Sequence, residues 1–216
     1  MARTRGVSFP IYKPRAEAVE YYRHFVPARG GVVFDCGGEL GLEAEQMSVM
    51  VGQGGKVYTI ECLPEHARHL KKMASKLGNV EVIEKALWKE RKNLDFYRGN
   101  TVGSSTALSE TRGQNGQILA KTDSEKYSVA ADTLDNLYRQ FVHPDSVDFI
   151  KMDIEGAEYE ALDGGGVMLQ HTQKIVVAAY HIRDGIKTVN RVAEILKSHG
   201  FEVRIDENDH VYGVRP

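Results

Sequence analysis

Five stretches of the chain read as core strands: residues 32–37, 56–63, 80–87, 147–154 and 174–181. In the fourth, Val147, Phe149, Ile150, Met152 and Ile154 keep both faces apolar, and the fifth (K-I-V-V-A-A-Y-H) does the same. That pattern suits parallel strands covered on both sides better than strands with one wet face. Helical periodicity fills the gaps. Leu40, Ala44, Met47 and Val51 share one face, with Gly52 after the end. Pro64 opens a second helix carrying Ala67, Leu70, Ala74 and Leu77, closed by Gly78-Asn79. Asp132 or Thr133 caps a third that runs to about Phe141. A fourth runs from about Ala157 to Gly164-Gly165-Gly166, and a fifth over 184–199 turns Ile186, Val189, Ala193 and Leu196 inward. Short strands are expected at 93–97, beside the third core strand, and at 126–131. Segments 201–205 and 210–214, joined around Glu207-Asn208, close the chain as an antiparallel hairpin. Strands alternating with helices make an open α/β sheet.

Two segments fall outside this rhythm. Residues 1–31 hold a helix with Pro14 near its first turn and with Ala18, Tyr21, Tyr22 and Phe25 largely on one side, which either packs on a single main domain spanning 32–216 or covers a ligand pocket. Residues 98–125 mix Gly99, Gly103, Gly113 and Gly116 with serines and threonines, forming either a lid over the site or a plain surface loop.

Composition narrows the partners. The 216 residues carry a net charge of −2, which makes no electrostatic case for nucleic acid or an anionic membrane. No apolar run is long enough to span a bilayer, and the N-terminus lacks a signal-peptide core. Cys36 and Cys62 are expected as reduced thiols, which fits a cytoplasmic protein.

The chemistry concentrates at strand ends. Asp35-Cys36-Gly37-Gly38-Glu39-Leu40-Gly41 is a D-x-G-x-x-x-G exit from the first strand into a helix. Its turn is one residue longer than that of the dinucleotide fingerprint, and the remaining glycine is absent. Glu61 ends the second strand, 26 residues after Asp35, where an acid can accept hydrogen bonds from both ribose hydroxyls. Asp153, Glu155 and Glu158 cluster where the fourth strand turns into a helix, either as ligand-binding acids or as helix caps. A nicotinamide dehydrogenase needs the tighter phosphate loop, and Glu39 would repel a pyrophosphate. S-adenosylmethionine needs a loop for its methionine moiety, an acid for the ribose and carboxylates near its cation, which this chain supplies.

Lys-Met-Asp-Ile-Glu-Gly-Ala-Glu (151–158), followed by Tyr159-Glu160-Ala161-Leu162-Asp163-Gly164, resembles the signature of the FkbM family of S-adenosylmethionine-dependent methyltransferases. The likeness runs from about Val32 to the C-terminus. It implies a Rossmann-like class I methyltransferase fold: a mostly parallel seven-stranded sheet with helices on both faces and a C-terminal antiparallel hairpin. The cofactor-binding residues expected are Asp35, Gly37, Gly38, Glu39, Gly41, Glu61, Cys62, Ala86, Ser104, Ser105, Asp153 and Glu155, of which Ala86 in the adenine pocket and Ser104-Ser105 in a small-residue motif rest on the resemblance. The chain departs from the family at Glu39, usually Asn, and at Tyr180, usually Glu before the histidine. The expected reaction is O-methylation of a hydroxyl on a sugar or other small metabolite, with His181, read as neutral near pH 7, or Asp153 as base and no metal site. RNA methylation and an inactive cofactor-binding module are the alternatives.

Overall fold

The computed structural model describes residues 20–97, 126–143 and 145–216. Most of the expected N-terminal helix and the whole 98–125 segment, with Ser104 and Ser105, lie outside them. Seven strands form the main sheet: β1 (Val32–Cys36), β2 (Lys56–Glu61), β3 (Val80–Glu84), β7 (Val147–Met152), β8 (Thr172–Ala178), β11 (Glu202–Ile205) and β12 (His210–Val214). Their order is β11-β12-β8-β7-β1-β2-β3, parallel from β8 to β3, with β12 antiparallel to both β8 and β11. Strand β1 is the switch point, with later strands added first on one side and then on the other.

Successive residues of the central strands enter opposite layers, which is why these strands are apolar throughout. Phe34, Ile150, Ile175 and Val177 join one layer with residues of α3 (Leu134–Phe141), α4 (Glu158–Asp163), α5 (Gly166–Gln170) and α6 (Val189–Ser198). Val33, Phe149 and Val176 join the other with Ala44, Met47 and Val51 of α1 (Leu42–Val51) and Ala74 of α2 (Pro64–Leu77). Tyr22 and Phe25 of the N-terminal segment pack their rings on Phe149 in that second layer. No helix among the described residues is long and apolar enough to cross a membrane.

Four local expectations are corrected. Residues 80–87 do not form one strand: β3 ends at Glu84, and β4 (Ala86–Leu87) turns into a separate three-stranded sheet with β5 (Lys92–Tyr97) and β6 (Lys126–Asp132). The strand at 93–97 therefore pairs with β6 instead of lying beside β3. Leu40 precedes α1 and is exposed, while Ala44, Met47 and Val51 are buried as expected. The last helix starts at Val189 because Asp184 (φ 50°) and Gly185 (φ 78°) make a tight turn between β9 (Ile182–Arg183) and β10 (Ile186–Lys187), leaving Ile186 exposed. Thr133, not Asp132, caps α3 by accepting from Asn136 N at 3.0 Å. Thr133→Ala should cost about 1 kcal/mol in urea unfolding; an unchanged midpoint would mean that the cap contributes nothing.

Candidate active site

The exits of β1, β2 and β7 border a cleft with about 720 Å³ of open space at the carboxyl ends of the strands. Open α/β sheets bind ligands at such a switch point. The Gly loop is fastened by main-chain contacts. Gly37 N and Gly38 N both donate to Ile60 O at 3.0 Å, and Asp153 N donates to Cys36 O at 2.9 Å. Gly37 has φ +86°, and a Cβ there would lie 1.8 Å from Asp153 O. A Cβ on Gly38 would strike Thr59 Oγ1 at 2.2 Å. These two glycines thus let the loop sit directly on β2 and β7, and Gly41 is the N-cap of α1.

Glu61 ties the loop to the tip of β2. Its Oε2 accepts from Glu39 N at 2.9 Å and its Oε1 from Leu63 N at 2.8 Å, so the carboxylate is held rigidly at the cleft wall. Burial raises its pKa, partly offset by these two N–H bonds. Each oxygen keeps a lone pair that could receive a ribose hydroxyl. Glu61→Ala should weaken binding of S-adenosylhomocysteine by roughly 1–3 kcal/mol, measured by calorimetry on folded protein. Unchanged affinity would remove Glu61 from the site.

On the β7 side, Asp153 Oδ2 accepts from Tyr21 OH at 2.8 Å and Tyr180 OH at 3.0 Å. Burial alone would raise the Asp153 pKa, but His181, Lys151 and the two phenols hold it below the ordinary value. His181, 1% exposed, stands behind Asp153 and Glu155 instead of on the cleft wall. Its Nε2 is 3.6 Å from Asp153 Oδ1 and 3.5 Å from Glu155 Oε2, and its Nδ1 is 3.2 Å from Glu158 Oε1. Burial disfavours its charge, but Glu158, Glu155 and Asp153 more than offset this and raise its pKa well above the usual histidine value. The three carboxylates thus favour the charged imidazolium, a bias that the expectation of a neutral ring did not include.

Lys151 is buried between the two halves of the site. It stands opposite Asp35 in the register of β1 and β7, with Nζ 3.2 Å from Asp35 Oδ1 and donating to Gly37 O at 2.7 Å. Burial opposes its charge, yet Asp35, Glu43 and Asp153 raise its pKa above the ordinary value.

Of the residues expected at the cofactor, Gly37, Glu39, Glu61, Cys62, Asp153 and Glu155 line the cleft. Asp35 is fully buried beneath it, bonded to Thr59 and Lys151; Gly38, Gly41 and Ala86 stand back from the wall, Ala86 within a separate apolar cluster. The wall also contains Tyr21, Glu43, Leu63, His66 and Phe96, which sequence reasoning did not select. Position could have flagged Glu43, Leu63 and His66, since each lies within a turn of a helix start just after a strand tip.

Five carboxylates line the cleft (Glu39, Glu43, Glu61, Asp153 and Glu155) against Lys85, Lys151 and His66, and Lys151 is already paired with Asp35. Such a wall repels a pyrophosphate and suits a ligand bearing a sulfonium and an ammonium. The residues present thus fit S-adenosylmethionine.

Comparison with known proteins agrees. No curated protein matches the chain in sequence. Among solved structures, fibrillarin from Aeropyrum pernix with natively bound S-adenosyl-L-methionine superposes with a TM-score of 0.54 at 16% identity, covering 92% of this chain and 73% of that one. Methyltransferase FkbM from Methylobacillus flagellatus gives 0.54 at 18% identity, covering 85% of this chain and 43% of the other. A putative rRNA-methylase from Clostridium thermocellum gives 0.52 at 11%, covering 95% and 96%. At these identities the likeness establishes the fold. The family is established by a sequence model, the methyltransferase FkbM domain, which matches residues 35–203. The chain therefore belongs to the FkbM family and is an S-adenosylmethionine-dependent methyltransferase.

Proposed function

We propose that the methyl group goes to the oxygen of a hydroxyl on a sugar or other small metabolite, in the cytoplasm, within one domain spanning 32–216 that follows an N-terminal segment, 1–31. The observation that carries this is the carboxylate–histidine cluster at the exits of β7 and β8, which meets the cleft through Asp153 and Glu155. Bound S-adenosylmethionine supplies an electrophilic methyl, transferred in line, so alignment does most of the work. A hydroxyl must also lose its proton, and Asp153, on the cleft wall with His181 behind it, is the group placed to receive it. Glu61 would hold the ribose, and the main chain around Gly37 and Glu39, with Cys62 nearby, would face the rest of the cofactor. Ser104 and Ser105 are proposed at the cofactor from the family likeness alone. The two cysteines are unpaired, consistent with a reducing compartment.

The test is a screen of hydroxylated metabolites and of RNA with methyl-labelled cofactor. Label is expected in an ether of a small molecule. Robust labelling of RNA alone would replace the small-molecule acceptor with a nucleic acid.

A further inference from the structure

We infer that Asp153, Glu158 and His181 form a binding site for a divalent transition-metal cation. Each residue offers one ligand atom, and these atoms lie within 4.8 Å of one another. Ligands around a common cation at 2.0–2.2 Å stand roughly 3–4.4 Å apart. An ion takes one ring nitrogen of His181, and the separation of 3.2 Å between His181 Nδ1 and Glu158 Oε1 falls within that range.

A cluster of acids would not by itself indicate a ligand. The second observation is that each of the three residues presents a buried atom with no hydrogen-bond partner: Asp153 Oδ1, Glu158 Oε2 and His181 Nδ1. Glu158 is 0% exposed and His181 is 1% exposed, so water does not satisfy them from bulk solvent. His181 Nδ1 is close to Glu158 Oε1 but misaligned for a hydrogen bond, while that oxygen accepts from Gly156 N at 3.0 Å. The other Asp153 oxygen is occupied by the two phenols. Buried polar atoms left unpaired are costly, and a cation held among them removes that cost.

Charge points the same way. Asp153, Glu155 and Glu158 surround a single histidine, while the nearest lysine, Lys151, pairs with Asp35, and Arg183 pairs with Glu160. Once the ring gives up its proton as the ion enters, one imidazole with two carboxylates is a ligand set for a first-row cation such as Mn2+, Fe2+ or Zn2+ instead of an all-oxygen Ca2+ cage. Three protein ligands leave further coordination positions. Because Asp153 also lines the cleft, a cation on its oxygen stands at the border of the acceptor space and can orient and polarise an acceptor oxygen. That use, though not the site itself, rests on the hydroxyl-acceptor reading.

The test titrates Mn2+ into the full chain and counts the free ion by its paramagnetic resonance signal. One Mn2+ per chain is expected, with affinity at least about tenfold weaker in Glu158→Gln and in His181→Asn. Gln keeps the oxygen that accepts from Gly156 N, which favours folding of that variant. No binding by the wild type at millimolar Mn2+ would overturn the site, and so would binding undiminished in both folded variants. If one variant fails to fold, the wild-type titration and the other variant still decide. S-adenosylhomocysteine is titrated on the same samples. Cofactor binding without Mn2+ binding rejects the cation site alone, whereas Mn2+ bound in a protein that methylates only RNA keeps the site and rejects the hydroxyl acceptor.

Discussion

Replacing Asp153 with Asn should lower turnover by about 10²–10⁴-fold, the range for losing a positioned proton acceptor. Asn keeps the shape and one oxygen for the phenols of Tyr21 and Tyr180, so the wall of the cleft should persist. It loses the negative charge that His181 and Lys151 stabilise. The measurement is kcat with saturating cofactor, alongside calorimetry with S-adenosylhomocysteine. A fall in kcat with nearly unchanged affinity marks a role in the reaction, and a parallel loss of affinity marks Asp153 as a cofactor anchor. Full activity in the folded variant would remove Asp153 from the chemistry. His181→Ala should fall in the same range, because the ring stands against the same carboxylate.

Lys151→Met should destabilise the fold by roughly 3–5 kcal/mol, since removing one partner of a buried pair strands the other charge. Asp35 is fully buried, and its remaining partner is the hydroxyl of Thr59 at 2.9 Å. Gly37 O would lose its donor as well, loosening the loop. Urea unfolding measures the effect. Adding Asp35→Asn should return a large part of the lost stability, because the two residues act as one unit. A loss below about 1 kcal/mol for Lys151→Met would mean that the pair is not the support it looks to be.

How far the sequence revealed this arrangement depended on the range of the interactions. Strands β1, β2, β7 and β8 were legible because burial on both faces leaves an unbroken apolar run. Glu61 was legible because a strand tip after a Gly loop is a local pattern. Asp35 looked the same locally, yet its position opposite Lys151 depends on which strands pair, and spacing carries no information about that. Tyr21 was read only as one of the aromatics of a helix that packs on the domain or covers a pocket; its bond to Asp153 joins residues 132 apart. The three acids after β7 were read as one cluster, but they divide: Asp153 and Glu155 face the cleft, while Glu158 turns inward to the backbone of its own turn and to His181. The Asp184-Gly185 turn was visible in principle, and helical periodicity around Ile186 masked it.

The most direct measurement is a crystal structure of the protein with S-adenosylhomocysteine. The ligand is expected in the cleft at the exits of β1, β2 and β7, its ribose on Glu61 and its sulfur toward Asp153 and Glu155. A ligand bound away from Glu61, or a cleft that stays empty at saturating concentration, would contradict this assignment of the site.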